Sequence, residues 1–420
     1  MRKRHVADGE SAFVYEAAWM MRLLERPIVG DESRYDALRA AIRAGANVDR
    51  PIWVCGGGTL GERLPSVAVA VSAPALSEPV GYWPEDMVIR VPAGMTLARA
   101  REVLAARGQE LSIDAADPAR TTIGGLVASG ICGSRRLSRG SLRDLLIGLT
   151  IVDARGDLLS LGGRVVKNVA GYDLCKLLIG SWGWLAAIVE ATFRVRAKPE
   201  ASRAIVIDLG DVRESEELAA KLLGSPLSPA SLDLLDGTLA RRRRVSDGAA
   251  LVAGFEGLPE NVNGQLARVE ALLGRHGRTL EYNEYSAIRQ DLSDMALGER
   301  GHIRAAVPSG QVVALVEQAR DVAPGVAMAA HAGSGVVLFD LAETPQADRA
   351  ALIRLLDEMS VARLIPRPVA GCEAEPMARL SADARWMLRK VKNAIDPQRV
   401  FGRGGRFDAA VGDDPAGRFQ

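Results

Sequence analysis

The chain has 420 residues, enough for two domains that each bury a core. Its 53 Lys and Arg side chains face 52 Asp and Glu, so it lacks the strong basic excess of a dedicated nucleic-acid surface. Cys55, Cys132, Cys175 and Cys372 lie far apart and form no Cys-x-x-Cys pair, which argues against a zinc site, a redox dithiol or an iron–sulfur cluster and suits a reducing, cytoplasmic setting.

The start, Met1-Arg2-Lys3-Arg4-His5, is basic, but Asp8-Gly9-Glu10 interrupts where the apolar part of a signal peptide would begin. No run approaches the roughly 18 apolar residues of a membrane span, so a soluble protein without a transmembrane segment is expected. Residues 1–29 read as a leader, with the patch Ala17-Ala18-Trp19-Met20-Met21 suited to a docking helix. Ala37, Leu38, Ala41 and Ile42 at helical spacing predict a helix between Asp31 and Gly45. Ile52-Trp53-Val54 then predicts a short strand that breaks into Cys55-Gly56-Gly57-Gly58-Thr59-Leu60-Gly61. Four glycines in seven residues free the backbone to wrap its amides around phosphate oxygens, with a plain turn as the competing account.

Two nucleotide-binding templates fail here. A P-loop needs Lys-Ser/Thr directly after its last glycine, whereas Glu62-Arg63 follows Gly61. Gly56, Gly58 and Gly61 match the spacing of the dinucleotide fingerprint, but Pro65 disfavours the helix that must follow.

Further along, Met87–Val91 predicts a strand, Thr96 a helix cap, and Leu97, Ala100 and Leu104 the buried stripe of a helix stopping at Gly108. Thr122-Ile123-Gly124-Gly125 opens a small-residue helix whose first amides would be bare toward an anion, a pyrophosphate being the natural guest. Valine at Gly57 or Gly124 should therefore intrude where the diphosphate oxygens lie. Strands are expected at Leu145–Val152 and Leu158–Leu161 around the turn Asp153-Ala154-Arg155-Gly156. Alternation from Val189 to Val195 predicts a half-exposed strand. Past Pro199 come strand and helix units: Ala204–Ile207, Glu214–Leu223, Leu232–Leu235, Leu251–Phe255, Val262–His276, Val336–Leu341 and Gln346–Met359. They suit an α+β layer with helices on one face of a sheet. The run Arg241–Arg244 reads as a solvated loop. Ala382–Ile395 is helical in pattern and ends at Asp396-Pro397.

The series Gly56-Gly57-Gly58-Thr59, Asp117-Pro118 leading to Thr122-Ile123-Gly124-Gly125, Lys167-Asn168-Val169-Ala170-Gly171-Tyr172-Asp173, Gly180-Ser181-Trp182-Gly183-Trp184-Leu185 and Ile188-Val189-Glu190-Ala191-Thr192 resembles the FAD-binding domain of the vanillyl-alcohol oxidase type. Within that type it is similar to the glycolate oxidase FAD-binding subunits. The resemblance implies an α+β protein: a two-subdomain FAD-binding domain over residues 30–200, an α+β cap or substrate domain over 201–380, and a tail over 381–420 returning to the first domain. It also implies that Gly56, Gly57, Gly58 and Thr59 hold one side of the FAD pyrophosphate. Thr122, Gly124, Gly125, Ser129 and Gly130 would hold the other, with Ser141 close by, Gly183 allowing close approach, and Ile188 and Val189 along the adenine end. No attachment motif surrounds Cys55 or Cys132, so non-covalent FAD is expected.

Oxidising a 2-hydroxy acid needs a base, a hydride acceptor and a cation for the carboxylate. Of four histidines, His331 in Ala330-His331-Ala332-Gly333-Ser334-Gly335 resembles a segment of related 2-hydroxy-acid dehydrogenases, and it stands either as the catalytic base or as a structural residue. Val336-Val337-Leu338 occupies the stretch where those relatives place a further histidine of a metal site. With no acidic partner evident either, no metal is expected. Arg289, Arg304 and Arg406 are equal candidates for the carboxylate cation. Trp182 and Trp184 depart from the smaller or polar residues usual there, and core filling suits Trp184 best. The resemblance implies an oxidoreductase subunit acting on glycolate or a similar acid, with a larger paralogous flavin subunit and an iron–sulfur subunit as partners, the rival being an FAD-binding scaffold or assembly subunit of such a complex with no turnover of its own. A nicotinamide-dependent reductase on the same fold is a third account. Cytoplasmic placement, with a partner holding it at the inner face of a membrane, completes the expectation.

Overall fold

Two antiparallel sheets organise the chain in a computed structural model, which describes residues 32–47, 51–59, 69–72, 78–163, 173–297, 302–359, 361–364, 381–402 and 407. The leader, Lys167 to Tyr172, Cys372 and Arg406 lie outside the described residues. In the first domain, strands Gly81–Trp83, Val88–Pro92, Ala187–Arg194, Leu146–Val152 and Leu158–Gly162 lie side by side in that order, all antiparallel. Ile52–Cys55 pairs in parallel with Val69–Ser72 beside helix Asp36–Asn47. That helix starts after a 3-10 turn at Glu32–Tyr35 and buries Leu38 and Ile42, two of the apolar positions read from the sequence.

The strand Ala187–Arg194 is buried almost throughout, which corrects the half-exposed expectation. Glu190, one of its alternating polar residues, faces a buried polar network instead of water. Glu190 accepts from the Tyr35 hydroxyl at 2.7 Å, from Arg90 Nε at 2.6 Å and from the Thr150 hydroxyl at 2.9 Å. A satisfied carboxylate of this kind is tolerated in a core, so its period-two pattern mimics a solvent face.

The second domain carries eight strands in the order Arg278–Leu280, Ala201–Leu209, Ala249–Gly257, Ser231–Leu235, Ala327–His331, Val336–Asp340, His302–Ala306, Ala362–Leu364. Helices cover both faces, not one. Glu214–Leu223, Pro259–Leu273, Val312–Val322 and Gln346–Glu358 contribute to the core on one side. Gly237–Arg242 and Tyr282–Leu297 contribute to the other, whose core also takes in Ala116, Ile131 and Trp182 of the first domain. That face therefore looks toward the glycine loops. Arg241 and Arg242 end a helix, and Arg242 and Arg243 pair with Glu343 at 3.1 Å and Asp291 at 3.2 Å, so the basic run is not a free loop.

After the cap, helix Ala382–Ile395 leads the chain back. The Ile52 amide donates to the Val400 carbonyl at 2.7 Å, and Gly402 donates back to Ile52 at 2.9 Å. Trp184 is core, as its size suggests, stacked on Phe407 with ring centroids 5.2 Å apart.

Candidate functional site

A cleft of about 690 Å³ runs between the two glycine-bearing segments. One wall is Trp53 to Thr59, the other Ala119, Arg120, Thr122, Gly124, Gly125 and Ala128, with Trp182, Gly183, Ala186 and Ile188 closing it. Strand Ile52–Cys55 ends in the glycines, and Gly58 at φ +70° takes a backbone conformation that costs glycine little. Thr122 caps helix Ile123–Ser129, its hydroxyl accepting from Gly125 N–H at 3.2 Å. The two segments touch: the Thr59 and Thr121 hydroxyls lie 3.3 Å apart. A side chain on Gly56 would collide with the Thr122 hydroxyl, and one on Gly57 with the Arg120 carbonyl.

The free donors sit in the first loop. The amides of Gly56, Gly57 and Thr59 make no hydrogen bond among the described residues. At the second segment the expectation of bare amides fails. Ile123 and Gly124 donate to the carbonyls of Met95 and Ala93, both at 2.8 Å, and Gly125 is taken by its cap. Gly124 is a glycine because its Cβ would stand 2.9 Å from that of Ala93, and Gly57 because of Arg120, so neither is kept bare for a ligand. Gly125 differs: a Cβ there meets only the Thr122 hydroxyl, at 3.2 Å, and the residue lines the cleft. This is the cradle that a bound group would fill.

Several expected contacts lie elsewhere. Ser129 turns its hydroxyl back to the Leu126 carbonyl at 3.1 Å, and Gly130 ends the helix at φ +65°. Ser141 caps its own short helix through Asp144, bonded at 2.8 Å. Val189 packs with Tyr35, Leu38 and Ile42 behind the sheet, because alternation turns it away from Ile188. None of these four lines the cleft. Sequence reasoning passed over Arg120, which lines it and sits 3.7 Å from Asp117; its place directly before Thr-Thr-Ile-Gly-Gly was the available signal. Trp182 is held at φ +54°, a strained setting for a bulky residue, with its N–H on the Ala128 carbonyl at 2.9 Å. Cys55 lines the cleft, and burial pushes its thiol pKa up, away from the reactive thiolate.

His331 lies in the cap and lines neither this cleft nor the second cavity described below. It is buried, and its Nδ1 stands 2.7 Å from an oxygen of buried Asp233, the residue directly across on the neighbouring strand. An acidic partner is therefore present, contrary to expectation, though it came from a strand distant in sequence. By alternation His331 shares the face of Ala329, which packs in the core with Ala116, Ile131 and Trp182. On the same face Arg304 has a buried Nε with no hydrogen-bond partner among the described residues, and burial together with Arg136 lowers its pKa. Arg289 is already bound to Asp114 at 3.0 Å.

A sheet-walled cleft built on two glycine loops suits a nucleotide cofactor, and the sequence pattern of the FAD binding domain family matches residues 33–162. This chain therefore carries an FAD-binding domain, and FAD is its cofactor. It is 34% identical over 175 residues to glycolate oxidase subunit GlcE of Escherichia coli (strain K12), covering 41% of this chain and 50% of that protein. It is 35% identical over 116 residues to glycolate oxidase subunit GlcD of Bacillus subtilis (strain 168), covering 28% of this chain and 25% of that protein. The chain thus matches half or less of the length of these relatives. An alkyldihydroxyacetonephosphate synthase structure shares the fold, with a TM-score of 0.66 over 87% of this chain and 75% of that one at 14% identity.

Proposed function

We propose that the protein oxidises glycolate or a similar short 2-hydroxy acid to the 2-oxo acid, as one subunit of an assembly that carries the electrons onward. The observation behind this is the buried His331–Asp233 pair on the cap face turned toward the FAD-binding domain, with Arg304, whose Nε has no partner among the described residues, on the same face. Bound non-covalently along Gly56, Gly57, Gly58, Thr59, Thr122, Gly125, Gly183 and Ile188, FAD supplies a two-electron acceptor. Asp233 accepts from Nδ1–H of neutral His331, which leaves Nε2 to take the hydroxyl proton. Arg304 pairs with the substrate carboxylate, since Arg289 is engaged and Arg406 lies outside the described residues. The carboxylate supplies the acceptor that the Arg304 Nε lacks.

The electrons need an exit. The subunit names of the relatives support a multi-subunit assembly, and a larger paralogous flavin subunit and an iron–sulfur subunit are the proposed partners within it. Among the described residues no helix is long and apolar enough to cross a membrane, and a cytoplasmic site is proposed, with membrane contact through a partner.

One observation favours a second reading, an FAD-binding assembly subunit without turnover: His331 is 3% exposed and lines neither the FAD cleft nor the second cavity. Anaerobic addition of glycolate or D-lactate to the FAD-loaded chain separates the two. Bleaching of the flavin band by the chain alone, slowed about 100-fold or more in His331→Gln, is the expected result. Bleaching only when the larger subunit is present supports the second reading, and equal rates in the variant make His331 structural.

A further inference from the structure

A second cavity, of about 630 Å³, opens between the first domain and the cap and shares no lining residue with the FAD cleft. Arg101, Asp114 and Arg135 wall it on one side; Ser286 and Arg289, from helix Tyr282–Leu297, wall it on the other. Among its lining charges Lys198 and Arg203 are matched in number by Glu200 and Glu281, but the arginine cluster around Asp114 is not balanced. Arg135 sits 3.0 Å from Asp114, 3.2 Å from Glu110 and 3.5 Å from Glu256. Arg289 relies on the same Asp114 oxygen, at 3.0 Å, and Arg139 takes Glu256 at 2.9 Å. Arg101 has no ion-pair partner among the described residues and spends one N–H on the Ile113 carbonyl at 2.7 Å. Arg101, Arg135, Arg139 and Arg289 thus share Glu110, Asp114 and Glu256, one negative charge too few.

A second observation points the same way. The Arg289 side chain is nine-tenths buried, yet its Nε has no hydrogen-bond partner among the described residues. A buried donor without an acceptor is costly, and native proteins rarely keep one without a reason.

We propose that this cavity is a binding site for a small organic carboxylate, held by Arg101 and Arg289 and separate from the flavin cleft. Guanidinium groups present paired N–H donors in the plane that a carboxylate accepts. The site also has a route to the flavin loops. Asp114 lines the cavity, and the chain runs on from it to Arg120 and Thr122 in the cleft. A carboxylate that draws Arg289 from Asp114 loosens one end of that segment.

Calorimetric titration of the oxidised, FAD-loaded protein with succinate tests this, because succinate has no hydroxyl to oxidise and its binding is independent of the oxidation reading. One succinate site is expected, at least tenfold weaker in Arg101→Gln, with the flavin-to-protein absorbance ratio unchanged. Ser286→Glu, which places a carboxylate on the wall, should raise the melting temperature without ligand and abolish succinate binding. Absence of binding, retention of full affinity in both variants, or loss in Arg304→Gln instead overturns the proposal. Inorganic phosphate binding more tightly than succinate overturns the carboxylate assignment.

Discussion

Gly124 and Gly125 are adjacent, yet a side chain on each would meet different things. On Gly124 a methyl presses against Ala93, at 2.9 Å from its Cβ and 3.2 Å from its carbonyl; on Gly125 it enters the cleft. Gly124→Ala should therefore destabilise the fold by about 1–3 kcal/mol, read from urea unfolding, while the folded fraction keeps its flavin. Gly125→Val should do the reverse, leaving the melting temperature nearly unchanged and weakening FAD at least tenfold by absorbance titration. A fully yellow Gly125→Val protein would remove this wall from the site. The glycine pair was legible in the sequence, but the reason for each glycine was not. Ala93 comes from a distant turn, and Asp233, which orients His331, comes from a strand whose partner no local pattern specifies.

At the scale of elements, helices were the most legible. Glu214–Leu223 and Ala382–Ile395 match their sequence periodicity end to end, because one apolar stripe is enough to specify a helix on a core. The strand Ala187–Arg194 reads as half-exposed because Glu190 and Thr192 look solvent-facing until Arg90, Tyr35 and Thr150 are placed around the carboxylate. Helix Ala382–Ile395 carries a similar disguise in Lys392, a charged residue that is 2% exposed. Its ammonium donates to Asp396 at 2.8 Å, to the Phe401 carbonyl at 2.8 Å and to the Trp184 carbonyl. Lys392→Met preserves length but strands the Asp396 carboxylate, which should cost about 3–5 kcal/mol and expose residues 396–402 to protease. Unaltered melting and cleavage patterns would show that this ion pair carries no net stability.

For the whole molecule, the ion cluster around Asp114 decides how the cap is seated. Burial opposes ionisation of Asp114, but Arg135, Arg289 and Arg101 outweigh it and hold its pKa below the ordinary carboxylate value. A depressed folded pKa means that its stabilisation is complete above about pH 4 and is lost as pH falls through the folded value. Asp114→Asn should therefore be about 3–5 kcal/mol less stable at neutral pH, with the gap to the parent closing below about pH 4. Urea unfolding at several pH values checks it, and a constant gap would place the acid sensitivity in another group. No sequence pattern announced this cluster, since Glu110, Arg135, Glu256 and Arg289 meet only once both domains are folded.

The first strand, Ile52–Cys55, has its backbone completed by Val400 and Gly402, nearly the last described residues. During synthesis the glycine loop must then emerge, wait while the entire cap is translated, and reach its final shape only when the distal segment leaves the ribosome. A nascent chain halted before that segment should capture flavin poorly, however well its earlier parts have folded.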